Sequence, residues 1–274
     1  MLKFVLAALA ILVVAAILTV AVAYWRFTAE MEGDVGQLVA SAGEAAGTVS
    51  AAQIANLPEP ARRYFEAAGV IGQAIPRVVR VMQKGRIRSS AETAWMTLEA
   101  VETYSTNPPA FVWRTWLPSR GLPLALGRDV YLDGETSILI RMGALLPLAD
   151  ERGEELRAAG LMRYLNEMAW FPAALLGDNV TISADGDNSF RVTLADRGLT
   201  ATAVMFVDAA GRLVNFRAER FNSATRSIET WETPMTAWTT FGAVHVPSRG
   251  SAVWKLPDGD FTYIELEITD IAYE

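Results

Sequence analysis

From Phe4 to Trp25 the chain reads FVLAALAILVVAAILTVAVAYW, an aliphatic run of 22 residues interrupted only by Thr19. The hydrocarbon core of a bilayer accepts about 20 apolar residues as a helix, so this run predicts one membrane-spanning helix. Tyr24 and Trp25 fall where an interfacial aromatic belt sits, and Arg26 caps the span. The competing reading is a cleaved secretory signal, because Ala21-Val22-Ala23 has the small-x-small form that signal peptidase accepts. Signal cores run about 7–15 residues, and the longer run here favours an anchor. Lys3 and the amino group precede the span, whereas Glu30, Glu32 and Asp34 follow it closely. That slight positive excess orients the chain with its N-terminus inside. Residues 1–26 therefore read as a single-pass anchor in the cytoplasmic membrane, with an extracytoplasmic remainder; cleavage near Ala23 would give a secreted domain instead.

Composition narrows the chemistry. The 274 residues include 31 acidic and 24 basic side chains, for a net charge of −7, and 51% are hydrophobic. An acidic chain is a poor partner for nucleic acid, whose binding depends on Lys and Arg neutralising phosphates. The absence of cysteine excludes disulfides, thiolate metal sites, a cysteine nucleophile and a lipidated N-terminal cysteine. A single histidine excludes multi-histidine metal sites. No cofactor and no metal is implied.

Beyond the anchor, residues 27–55 read as a tether, because Gly33 to Gln53 is rich in Ala, Gly and Ser and can bury little; a weak helix is the other reading of that stretch. The β-rich domain then occupies residues 56–274. Pro58 and Pro60 suit the first turn of a short helix and Gly69 its C-cap, with Ala61, Tyr64, Phe65 and Ala68 on one stripe. From Pro76 the apolar period is two over the segments 77–89, 93–106, 110–117, 128–133, 136–142, 179–185, 189–196, 199–208, 211–221, 226–239, 241–254 and 260–273. Turns such as Asp133-Gly134 and Asp185-Gly186-Asp187-Asn188 separate them, which implies antiparallel pairing. One interruption, from about Asp150 to Leu176, is helical: Leu161, Tyr164, Leu165, Met168, Phe171 and Leu175 recur at three- and four-residue spacing, and Pro172 kinks this helix or starts another. The expected fold is mainly β with helices (α+β). It is a curved antiparallel sheet or half-barrel of about eleven strands, with the helical segment over its concave face.

No motif assigns an activity. His245 lies in a strand pattern with no G-x-S-x-G elbow to serve, and no phosphate-binding glycine loop follows a strand. Asp129, Asp133, Glu135, Glu167 and Glu219 could supply carboxylate chemistry, but spacing in sequence does not set carboxylate separation, and no residue is assigned as catalytic. Glu167 follows Arg163 by four, which reads as a solvated helix pair or as a polar group pointing into a cavity. Alternation puts Arg220 on the face of Phe216 and Ala218, so it pairs with an acid in a cavity or snorkels at the strand end. Seven tryptophans beyond Trp25 form either a bulky β core or the wall of a small-molecule site. The candidate ligand-binding residues are Trp113, Tyr131, Tyr164, Glu167, Trp170, Arg220, Trp231 and Trp254.

Three stretches, Leu57-Pro58 to Tyr64, Arg163-Tyr164-Leu165 to Leu176, and Gly242 to Tyr273, together resemble a bacterial family known only as a domain of unknown function. A Trp-x-Pro pattern at Trp170-Phe171-Pro172 and a Gly-x-Asp-x-Tyr pattern from Gly127 to Tyr131 carry the same resemblance. It implies no activity and no catalytic residues. In architecture, serial antiparallel strands with helices laid into the concavity resemble the lipoprotein-carrier half-barrels of the bacterial envelope, which hold acyl chains in an apolar cavity. The expected function is binding of a lipid or other hydrophobic ligand between sheet and helix. A structural or protein-interaction role in the envelope, its protein partner unknown, is the alternative, and a carboxylate-dependent enzyme is the least expected reading.

Overall fold

The computed structural model describes residues 1–44, 47–119 and 122–274. Helix α1 runs over Leu2–Ser41 without interruption. Residues 2–22 are exposed and almost wholly apolar, whereas Phe27, Met31 and Leu38 are buried. The segment expected to be a tether is thus helical as far as Ser41. Its small residues conceal a stripe, Phe27, Met31, Val35 and Leu38, whose spacing of four, four and three marks one helix face. That face docks on Leu126, Leu139, Ala110, Val112 and Val130 of the sheet. A short helix α2, Ala51–Ala55, precedes α3, Glu59–Ala68, which has proline in its first turn and Gly69 as a left-handed C-cap with φ 72°, as the sequence predicts.

The first run of strands is β1 Val78–Ile87, β2 Met96–Thr106, β3 Pro109–Ser119, β4 Leu122–Leu132, β5 Glu135–Met142 and β6 Leu146–Arg152. Helix α4, Glu154–Glu167, follows and passes into two 3-10 turns, Met168–Trp170 and Pro172–Leu176. The second run is β7 Val180–Gly186, β8 Ser189–Asp196, β9 Leu199–Val207, β10 Leu213–Asn222, β11 Ser227–Glu232, β12 Met235–Phe241, β13 Val244–Leu256 and β14 Gly259–Tyr273. All strand pairs are antiparallel, and β14 joins the two runs by pairing with β1.

The described residues hold fourteen strands against the eleven or so expected. Two differences account for the excess over the twelve predicted segments. The predicted strand 226–239 is two strands, because Pro234 has no N–H to offer the ladder; β13 pairs with β12 along its first half and with β11 along its second. The other is β6, Leu-Pro-Leu-Ala-Asp-Glu-Arg, whose first four residues fall in no predicted element and whose last three lie in the segment expected to be helical from about Asp150, but which forms the outer strand of a hairpin. Gly143 (φ 55°) and Ala144 (φ 61°) make the turn, without the Asn-Gly or Asp-Gly signature that would announce it.

The sheet order is β6-β5-β4-β3-β2-β1-β14-β13-β11-β10-β9-β8-β7, open at both edges. Helix α4 touches β3, β4 and β5 in one arm and β8, β9 and β10 in the other. In that order β5 and β9 stand nine strand spacings apart, about 43 Å in a flat sheet at roughly 4.8 Å per strand. A helix about 10 Å across reaches both only because the sheet curls around it. α1 takes the opposite face. On β3 the split is plain: Phe111 and Trp113 belong to the enclosed core, while Ala110 and Val112 lie under α1.

Candidate functional site

Between α4 and the curled sheet is a cavity of about 790 Å³. Its wall is mostly apolar. Trp231 and Trp254 are register partners on β11 and β13, and Phe261 on β14 continues the row. The Trp231 and Trp254 rings lie 6.3 Å apart and Tyr263 stacks on Trp254 at 6.2 Å, while the Trp231 indole donates to the Tyr263 hydroxyl at 3.2 Å. Ile138 and Ile140 of β5, Ile264 of β14, and Trp170 in the 3-10 turn after α4 add to the apolar lining.

The polar end is built around Arg163, one turn beyond Ala159 on α4. Its guanidinium donates through Nη2 to Glu102 Oε1 at 2.9 Å, through Nε to Glu167 Oε1 at 2.7 Å, and through Nη1 to Asp129 Oδ2. The same group covers the rings of Phe111 and Trp113. Gln83 donates to Glu102 Oε2 and accepts from the Trp113 indole, each at 2.9 Å. Strand register explains the convergence: Glu102 pairs with Trp113, which pairs with Asp129, so the three point to one face of adjacent strands. Three carboxylates thus meet one cation in a buried site. Burial pushes Glu102 well above the ordinary carboxylate range and raises Glu167 too, with Arg163 pulling both the other way. The carboxylates in turn hold the Arg163 guanidinium firmly charged against its own burial. Asp129 Oδ1 and Glu167 Oε2 have no protein partner and are sealed from solvent.

Arg220 faces the same cavity from β10. Its Nε donates to the Ala159 carbonyl at 3.2 Å, and its guanidinium lies 4.6 Å from the Trp231 ring centre and 5.7 Å from that of Trp254. Glu229, its register partner on β11, instead accepts from Ser227. Among the described residues no acceptor engages the two terminal nitrogens of Arg220. A guanidinium held by its Nε and its flat face, with both terminal nitrogens free, is preset to take an oxyanion.

A comparison with family models matches residues 47–266 to the family of unknown function DUF6544. The chain belongs to that family. A comparison with curated proteins found no match. Among solved structures the chain is similar to a LolA superfamily protein of Nitrosomonas europaea, with TM-score 0.44, 11% identity, 78% of this chain covered and 93% of the other. A DUF1329 family protein of Desulfovibrio piger gives TM-score 0.39, 7% identity and coverage of 83% and 94%. Lipoprotein LppX of Mycobacterium tuberculosis gives TM-score 0.27, 14% identity and coverage of 80% and 93%. Likeness this loose transfers no ligand. The DUF6544 match contains every cavity-lining residue except Ile268 and leaves α1 outside.

Within this DUF6544 domain, six of the eight residues singled out from sequence line the cavity: Trp113, Glu167, Trp170, Arg220, Trp231 and Trp254. Tyr131 and Tyr164 do not. Both are fully buried core residues; the Tyr131 hydroxyl donates to Asp196 at 2.6 Å and that of Tyr164 to the Ser105 carbonyl at 2.8 Å. Of the two readings of Arg163–Glu167, the buried one holds. Of the two for Arg220, it lies in the cavity but pairs with tryptophan faces instead of an acid. Of the other acids, Asp133 sits in its turn and pairs with Arg197, Glu135 pairs with Arg157, and Glu219 accepts from Thr230. His245 contacts Thr240 and lies outside the lining. Sequence reasoning missed Glu102 and Gln83 and gave Asp129 no cavity role; register across three strands brings them together, which no local pattern displays.

Proposed function

We propose that the domain binds one amphipathic ligand, an apolar chain carrying an acidic head, in the cavity between α4 and the sheet. The observation that carries this reading is the cavity of about 790 Å³ between α4 and the sheet, lined by aromatic and isoleucine side chains and by Arg220. Cores pack to the density of organic crystals, and small-molecule sites typically span about 300–1,000 Å³ with apolar walls and a few oriented polar groups. The aromatic and isoleucine wall offers the apolar chain a bed, and Arg220 offers the head two free donors. The exposed half of α1 anchors the domain at the membrane from which such a ligand comes, since among the described residues no protein surface covers it. A test is tryptophan quenching of the detergent-solubilised full chain by a brominated fatty acid. The account expects saturable quenching at one ligand per chain, weakened about tenfold or more by Arg220→Leu, because a lost charge-assisted pair is worth roughly 1.5–3 kcal/mol. Quenching that never saturates contradicts it.

One observation favours a second reading, an enzyme using carboxylates: Asp129 and Glu167 line the cavity, and Glu167 is shifted upward. Against it, Arg163 spans all three acids and the open oxygens of Asp129 and Glu167 are sealed. The cluster fits a structural lock between α4 and the strands better than a proton donor to a substrate.

A further inference from the structure

Outside α1, five of the exposed large apolar side chains gather at one place: Leu124 (49% exposed), Met142 (40%), Leu145 (44%), Leu146 (64%) and Leu148 (54%). The others stand apart from one another, Ile71 in the turn after α3, Met82 on β1, Met96 at the start of β2 and Ile228 on β11. The five belong to the β5–β6 hairpin tip and the adjoining start of β4, where the Gly143 N–H donates to the Leu124 carbonyl at 2.8 Å. A soluble surface seldom gathers so many leucines at the tip of one hairpin, where their exposure has no packing function.

The position of this tip along α1 identifies what covers it. Ala144 packs in one cluster with Phe27, Ala23 and Tyr24. Ala144 and Leu145 also border the same recess as Thr19, Val22 and Ala23, inside the apolar run. At 1.5 Å per residue, Thr19 lies about 9 Å further along the helix than Trp25, toward the bilayer centre. The guanidinium of Arg141, at the base of the tip, lies 5.0 Å from the Phe27 ring centre, on the domain side of the leucines, where lipid phosphates would be.

We propose that the β5–β6 hairpin tip, with Leu145, Leu146 and Leu148, inserts into the outer interfacial layer of the bilayer that α1 crosses. This rests on the reading that residues 4–25 span that bilayer. The occupant is lipid, because the patch is continuous with the apolar half of α1 and cannot leave that depth while Ala144 stays packed on Phe27. The insertion also sets the cavity against the membrane. Met142 lies two residues beyond Ile140, a cavity-lining residue on the same strand face, so the apolar wall continues to the inserted tip.

The chain has no cysteine, so single labels are clean. Leu146→Cys, Val14→Cys and Ile228→Cys, each carrying an environment-sensitive nitrobenzoxadiazole label in the full chain, are reconstituted into phosphatidylcholine vesicles. The vesicles contain phosphatidylcholine spin-labelled either near the head group or deep in the acyl chain. The expected result is a blue-shifted label at 146 quenched mainly by the shallow spin label, a label at 14 quenched by the deep one, and a label at 228 quenched by neither. A label at 146 that behaves like that at 228, with 14 still quenched, overturns the inserted hairpin and leaves the anchor standing. Labels at both 146 and 14 that escape quenching overturn the two together.

Discussion

Arg163 bridges three carboxylates, more than any other cation among the described residues. Replacing it with methionine leaves Glu102, Asp129 and Glu167 facing one another without a cation, a buried-charge defect of about 3–5 kcal/mol. Urea unfolding of the solubilised chain at pH 7 should show that loss, and the loss should shrink near pH 5 as the orphaned acids take up protons. Glu102 gives the complementary test. Its folded form holds a proton more tightly than the unfolded chain, so its stabilising contribution is complete below the ordinary value of 4.5 and fades as pH rises toward the elevated folded value. Wild-type stability should therefore decline with rising pH across this window, and Glu102→Gln should flatten the profile; an unchanged slope would place the titrating group elsewhere. The sequence disclosed only one strand of this site, the i,i+4 spacing of Arg163 and Glu167, which looks the same on a solvated helix. The partners that bury it, Glu102 and Asp129, lie 61 and 34 residues away in sequence. For the same reason the strand pattern around Tyr131 and the helical stripe of Tyr164 could not separate a filled core from a cavity wall.

At the scale of elements, α4 approaches β5 through Gly160. A Cβ there would meet Thr136 Oγ1 at 2.1 Å, so the helix can lie this close to the strand only with glycine at the contact. Gly160→Ala should push α4 off the β5 arm and lower stability by about 1–3 kcal/mol in spite of alanine's better helix propensity. An unchanged melting temperature would mean that α4 rides free of that arm. Because α4 forms one wall of the cavity, the same substitution should alter ligand affinity, which a surface glycine such as Gly72 should not do. Elements with strong periodicity were legible in the sequence: α3 with its proline start and glycine stop, α4 with its stripe and the second turn at Pro172, and most of the strands. β6 was not, because an edge strand that mixes leucines, a proline and charged residues after an Ala-containing turn owes its pairing to β5 and not to its own propensity.

Across the whole molecule, α1 is one rod, about 60 Å long at 1.5 Å per residue, with its first half bare and its second half part of the fold. Arg114 and Arg128 sit opposite each other on β3 and β4, a repulsive pair that Glu32 and Asp34 of α1 neutralise. Removing residues 1–23 should therefore leave a folded domain, whereas removing residues 1–41 should expose Val112, Val130, Leu126 and Leu139 and unbalance both arginines. Thermal unfolding of the two truncations should separate them widely, with the shorter chain prone to aggregate. Of the two expectations for this stretch, a tether or a weak helix, the helix describes it as far as Ser41, and its four-four-three stripe becomes meaningful only against a docking surface.

The central claim is that the cavity holds an amphiphile. The most direct measurement is native mass spectrometry of the full chain, purified in mild detergent, beside Arg220→Leu, which removes the free guanidinium from the cavity. The account predicts one bound acidic amphiphile per wild-type chain and a variant that still folds but carries it at much lower occupancy. Wild-type chains that arrive without ligand and take none up on incubation with fatty acid or anionic phospholipid, or a variant that carries the same adduct at the same occupancy, would contradict it.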